Sequence, residues 1–86
     1  MTDEQIYVTV KFFAAPREAL DVDEVEMEIP AGATVGDLLD HLTAVYPALE
    51  AYLPSLSVAV NRCYVDRQTV LHAGDEVACL PPVAGG

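Results

Sequence analysis

Between Glu24 and Ile29 the chain reads Glu-Val-Glu-Met-Glu-Ile, carboxylate and hydrocarbon in strict alternation. Successive side chains point to opposite faces only in an extended strand, so Val25, Met27 and Ile29 share a buried face while Glu24, Glu26 and Glu28 share a solvated one. On a helix, at 3.6 residues per turn, the same residues would spread their charges around the whole circumference. The segment therefore commits the fold to a sheet with one packed and one open face. Ile6, Val8, Val10 and Phe12 alternate with Tyr7, Thr9, Lys11 and Phe13, which gives a strand ahead of it. Ala14-Ala15-Pro16-Arg17-Glu18 separates the two by a short turn or helical twist.

The period changes after Pro30-Ala31-Gly32-Ala33. Thr34 reads as a helix N-cap, with Asp37 three residues on as a short variant of the capping box. Val35, Leu38, Leu39, Leu42, Val45 and Tyr46 then fall on one helical stripe, with Asp37, Asp40, His41 and Ala44 opposite, and Pro47 stops the helix. Ala48 to Leu53 adds a further turn. Leu56, Val58 and Val60 mark a third strand, Cys63–Val65 and Thr69–Leu71 two short strands near an edge, and Glu76–Leu80 a last strand closed by Pro81. Hairpins flanking one helix predict an α+β domain with a mixed sheet of about five strands and the main helix across one face. The first and last strands, both strongly apolar, are expected to pair in parallel at the sheet centre. This is the arrangement of the ubiquitin-like β-grasp fold, here a domain over 1–80 with a tail over 81–86.

Eighty-six residues leave room for one domain, and 52% hydrophobic residues with a mean hydropathy of +0.28 suffice for a core. A net charge of −10 excludes nucleic acid as a partner, because phosphate binding needs the opposite sign, and suits basic protein partners. No apolar run approaches the ~20 residues that span a bilayer, and the acidic start Met1-Thr2-Asp3-Glu4-Gln5 is unlike a secretory signal, so a cytoplasmic protein away from membranes is expected. Cys63 and Cys79, with His41 and His72, match no zinc spacing. Both cysteines read as packing residues, with exposure left open for Cys63 beside its turn.

The ending, Pro81-Pro82-Val83-Ala84-Gly85-Gly86, reads as a reactive group on a spacer. Prolines favour extended geometry, and glycines without a Cβ allow another protein to approach the last carbonyl from either side. Six extended residues reach ~20 Å, enough to enter a partner's cleft.

Six segments in order, Phe12-Phe13-Ala14 with Arg17-Glu18, Thr34-Val35-Gly36-Asp37-Leu38-Leu39, Tyr46-Pro47 with Leu49, Val58-Ala59-Val60-Asn61, Gly74-Asp75-Glu76-Val77-Ala78 and the tail, resemble the molybdopterin synthase small subunit family, ubiquitin-like sulfur carriers. The match spans nearly the whole chain. It departs at Leu20-Asp21-Val22-Asp23, where the family has a glycine, and at Arg62-Cys63, in a loop that usually lacks cysteine.

The resemblance implies that a ubiquitin-activating-like adenylyltransferase uses ATP to adenylate Gly86, with Gly85 giving access, and that a sulfur donor protein then supplies the sulfur of a thiocarboxylate. The carrier would dock on the molybdopterin synthase large subunit, as a heterotetramer by family habit, and sulfur would pass to cyclic pyranopterin monophosphate. No cofactor is expected on this chain, which has neither G-x-x-x-x-G-K-[ST] nor G-x-G-x-x-G, and catalysis would lie with its partners. Candidate docking residues are Phe13, Tyr64, Leu80 and Val83, with Pro81 and Pro82 setting the tail's register. Phe13 and Leu80 read equally as buried beneath the sheet, whereas Val83, beyond the last strand, reads as interface. The same fold and ending also serve carriers for thiamine or other thiolation pathways, protein modifiers that form isopeptide bonds, and interaction domains with an inert tail.

Overall fold

The computed structural model describes residues 4–82. Five strands, β1 (Gln5–Phe12), β2 (Glu24–Pro30), β3 (Ser57–Val60), β4 (Cys63–Val65) and β5 (Glu76–Leu80), form one sheet in the order β2-β1-β5-β3-β4. β1 and β5 run parallel at its centre and every other pair is antiparallel, as the apolar first and last strands predicted. Two α-helices, α1 (Ala14–Leu20) and α2 (Val35–Val45), and a 3₁₀ segment (Pro47–Ser55) complete the chain, so the expected twist after β1 is a helix.

The alternation in β1 and β2 resolves as the sequence requires. Val8, Val10, Phe12 and Ile29 are buried, while Glu24, Glu26 and Glu28 are exposed. Val35, Leu38, Leu39 and Leu42 of α2 complete the core with Val58, Val60, Val77 and Cys79 from the sheet. Tyr46, at the helix end, meets Phe12 edge-on with ring centroids 6.1 Å apart. Val45 departs from the predicted stripe and is 56% exposed.

Thr34 and Asp37 form the reciprocal capping box: Thr34 N–H donates to Asp37 Oδ2 at 3.0 Å and Asp37 N–H to Thr34 Oγ1 at 3.2 Å. The next two amides of α2 are satisfied from elsewhere, Val35 N–H by the carbonyl of Thr69 and Gly36 N–H by that of Arg67, each at 2.9 Å. A Cβ at Gly36 would lie 3.3 Å from the Arg67 carbonyl, so a small residue is needed there. Residues Thr69–Leu71, expected as a strand, are therefore taken up against the start of the helix, and only a single bridge, Thr34 with Val70, survives.

Both departures from the family pattern fall on left-handed backbone. Asp21 caps α1 at φ 56°, ψ 37°, where glycine pays no steric cost and aspartate a modest one. Asn61 and Arg62, at φ 50° and 71°, form the two-residue turn between β3 and β4, a geometry that favours Asn-Gly.

Candidate functional site

The root of the tail is β5, a strand paired on both sides. Cys79 lies opposite Phe12 on one side and Val58 on the other, and Leu80 lies opposite Ser57. Phe13 N–H donates to the Cys79 carbonyl at 3.2 Å, extending the pairing to the strand's last turn. At the other end of β5 the side chain of Asn61 acts as a clamp: its Nδ2 donates to Asp75 Oδ1 at 2.9 Å and its Oδ1 accepts from Glu76 N–H at 3.0 Å. Asp75 Oδ2 accepts in turn from His72 N–H at 2.8 Å. Gly74, at φ 85°, turns the chain into β5 and donates its N–H to the Tyr7 carbonyl at 2.8 Å. Pro81 has no N–H and ends the ladder, and Pro81 and Pro82 are exposed beyond the end of this central strand.

On the sheet face away from α2, the register sets Lys11, Ala78, Ala59 and Tyr64 in one row across four strands. The two alanines leave a shallow floor, with Tyr64 (64% exposed) on one flank and Phe13 (39% exposed) towards the tail. Lys11 Nζ pairs with Glu76 Oε2 at 2.8 Å beside this floor; their hydrogen bond and mutual attraction hold the lysine above its ordinary range and the glutamate below its own. Phe13 and Tyr64 thus stand on an accessible apolar surface and Leu80 is half-buried. Val83, Gly85 and Gly86 lie outside the described residues.

A small apolar cleft of about 50 Å³ lies at the tail root, lined by Ala15 and Pro16 of α1, Tyr52 and Leu56 around the 3₁₀ segment, and Leu80 with Pro82. Tyr52 and Leu56 were not legible as site residues, because a 3₁₀ segment carries no strong periodic signature. The Asn61 clamp was also missed; its one sequence signal is an asparagine at a strand end, a residue that tolerates left-handed backbone.

Among the described residues near the tail root, no titratable side chain is placed to activate the chain's end. Burial pushes the Cys79 thiol up to about 12, so it stays protonated, while Cys63 is exposed on the edge strand β4. His41 and His72 are exposed. No described helix is long and apolar enough to cross a membrane.

The sequence pattern of the ThiS family matches residues 10–86. The molybdopterin synthase sulfur carrier subunit of Mycobacterium tuberculosis is 44% identical over 82 residues, which covers 94% of this chain and 99% of that protein. That of Chlamydomonas reinhardtii is 40% identical over 81 residues, 92% of this chain and 98% of the relative. Among solved structures, the small archaeal modifier protein 1 of H. volcanii superposes with a TM-score of 0.83 at 31% identity, over 91% of this chain and 99% of the other. With the parallel β1–β5 pair, the helix across one face and the apolar floor beside the tail root, this chain belongs to the ThiS family, whose relatives here include the molybdopterin synthase sulfur carrier subunits.

Proposed function

We propose that the protein is the sulfur carrier of a molybdopterin synthase, loaded and unloaded at Gly86. The observation that carries this reading is the anchoring of β5. A strand paired on both sides and clamped at its start ends at Leu80, so a pull on residues 81–86 meets the centre of the domain and not a peelable edge.

A free α-carboxyl, with a reference pKa near ~3.5, is ionised at neutral pH and resists nucleophilic attack. A ubiquitin-activating-like adenylyltransferase converts it to an acyl adenylate, with pyrophosphate released from ATP. The outer sulfur of a donor protein's persulfide attacks the acyl carbon and displaces AMP, and a thiol then cleaves the resulting acyl disulfide, leaving a thiocarboxylate and a disulfide on the donor. The large subunit then receives the tail and directs that sulfur to cyclic pyranopterin monophosphate, replacing a bimolecular encounter by a positioned one. Phe13, Tyr64 and the alanine floor fit the aromatic, charge-poor core typical of a protein interface. Pro81, Pro82 and Val83 set how far Gly85 and Gly86 reach, and this chain supplies the acyl group without supplying the catalyst.

Intact mass of the protein after incubation with ATP, the adenylyltransferase and a persulfide source tests the loading. The expected gain is one oxygen-for-sulfur exchange, absent in a chain extended by one residue beyond Gly86 that still folds. Loading of the extended chain refutes the reading.

The likeness to the archaeal modifier protein favours a second reading, in which the activated Gly86 is passed to lysines of other proteins. It predicts ladders of conjugates in cells that vanish when Gly85-Gly86 is deleted. Sulfur loading without such ladders rejects it.

A further inference from the structure

The outer edge of the sheet, two strands from β5, carries a second feature suited to docking. β2 is an edge strand of seven residues, with β1 on one side and no strand on the other among the described residues. Phe12 N–H bonds to the Asp23 carbonyl and Ala31 N–H to the Glu4 carbonyl, each at 2.9 Å. In the register that sets Lys11 opposite Glu24, Thr9 opposite Glu26 and Tyr7 opposite Glu28, those two bonds fix the alternation of the whole ladder. Odd-numbered residues of β2 bond to β1, and even-numbered ones turn their backbone groups outward. Glu24, Glu26 and Glu28 therefore present both N–H and C=O to the free edge, over a span of ~13 Å.

The same three residues carry exposed carboxylates on the open face. Free backbone and negative charge thus coincide residue by residue. At the Pro30 end the edge runs into a concavity of about 460 Å³ on the α2 side of the sheet, lined among others by Asp37, Asp40 and His41. A second copy of this chain is a poor occupant, because its own β2 would set like charges against like, the usual device against edge-to-edge association. A strand with lysine or arginine at alternate positions meets no such objection.

We infer that the β2 edge is a strand-addition site for an extended basic segment of a partner protein, with its backbone bonded to Glu24, Glu26 and Glu28 and its cations facing their carboxylates. Strand addition draws affinity from main-chain hydrogen bonds and specificity from alternate side chains. β1 separates this edge from β5, a distance of ~10 Å, so a partner held here leaves the tail root free for another. The site stands whether or not Gly86 carries sulfur.

The test uses the whole protein and two synthetic heptapeptides, Thr-Lys-Val-Lys-Val-Lys-Thr and its glutamate counterpart, at low salt with amide exchange followed by NMR. The lysine peptide is expected to slow exchange at the Glu24, Glu26 and Glu28 amides, and the glutamate peptide to leave them unchanged. Glu26→Gln removes one exposed charge and should weaken binding by about two- to fivefold. Glu26→Pro removes that charge and also the outward N–H, which no ladder bond uses, and should cost about a further two- to tenfold. Equal binding by the Gln and Pro variants would reduce the site to bare electrostatics and overturn the proposal. So would protection at β4 or on the Phe13–Tyr64 face in place of β2. If the proline variant does not fold, the exchange pattern of the unaltered protein with the two peptides decides alone.

Discussion

Replacing Asn61 by alanine should be among the most damaging changes available at an exposed position, because two separate effects add there. Asn61 occupies φ 50°, a left-handed conformation that costs a residue with a Cβ about 1–2 kcal/mol and that asparagine tolerates better than alanine. Its side chain also makes both bonds of the clamp, to Asp75 Oδ1 at 2.9 Å and from Glu76 N–H at 3.0 Å. Solvent competes for these exposed groups, so each bond contributes near the low end of the net range, about 0.5 kcal/mol. The sum is about 2 kcal/mol, which for a domain of this size lowers Tm by about 8–16 °C. Asn61→Gly removes the same two bonds and relaxes the backbone, so it should cost only about 1 kcal/mol. Urea titrations of the three proteins with a common m-value give both differences. Coincident curves for the alanine and glycine variants would refute the backbone contribution, and coincidence of both with the parent would refute the clamp.

Asp21→Gly, at the left-handed cap of α1, should stabilise the domain by about 0.5 kcal/mol, read as a higher urea midpoint; a lower midpoint would show that the aspartate does more than tolerate its φ of 56°. The Cys79 thiol, raised from 9.0 to about 12, contributes stability that is complete below pH 9 and is lost as the pH climbs towards 12, so alkaline unfolding should begin at higher pH in Cys79→Ala relative to that variant's own neutral stability. Glu76, held below 4.5 by Lys11, contributes above that value and loses its contribution as the pH falls through its lowered pKa; Lys11, held above 10.5, contributes below that value and loses it at higher pH. Lys11→Met should therefore return the NMR-titrated Glu76 carboxyl towards 4.5, and an unmoved titration would mean the ion pair is absent in solution.

The parts of the fold legible in the sequence are those where one periodicity has one physical solution. Glu-Val-Glu-Met-Glu-Ile can turn three apolar side chains inward and solvate three only as a strand, and β2 does so, burying Ile29 and half-burying Val25 and Met27. The stripe from Val35 to Leu42 can bury only as a helix, and its capping box fixes where that helix starts. What escaped depended on the partner and not on the segment. Thr69-Val70-Leu71 has a strand's composition, yet the Thr69 carbonyl goes to the Val35 amide and the Leu71 amide to the Ala33 carbonyl, both at 2.9 Å. A helix N-terminus has unpaired donors, and a nearby extended segment satisfies them before any sheet can. Val45 failed for a related reason: period 3.6 tells which side of α2 it lies on, not whether the facing layer reaches that far. For the site, Phe13 and Tyr64 are legible as large apolar residues beside the end of the chain, but for Phe13 and Leu80 the choice between burial and exposure needs the register.

The two thiols bear on whether such a chain could carry an activated acyl group at all. An acyl adenylate is open to any thiolate within reach, and an internal one would divert it into a thioester. Cys79 is only two residues before Pro81, but its side chain is fully buried on the core face and its thiol is held protonated well above neutral pH. Cys63 is exposed, and it lies opposite Val60, which lies opposite Val77, whereas the tail leaves after Leu80. Three residues along the strand and two strands across put it ~14 Å from the tail root, inside the ~20 Å that six extended residues span. One thiol is thus near but buried, the other exposed and within the tail's span. Cys63→Ser should leave sulfur loading at Gly86 undiminished and remove any thioester formed at position 63, while treatment of the native protein with a thiol reagent should label Cys63 alone; labelling of Cys79 in the folded protein would mean that β5 opens, and the tail root would then lack the rigidity on which the proposed delivery depends.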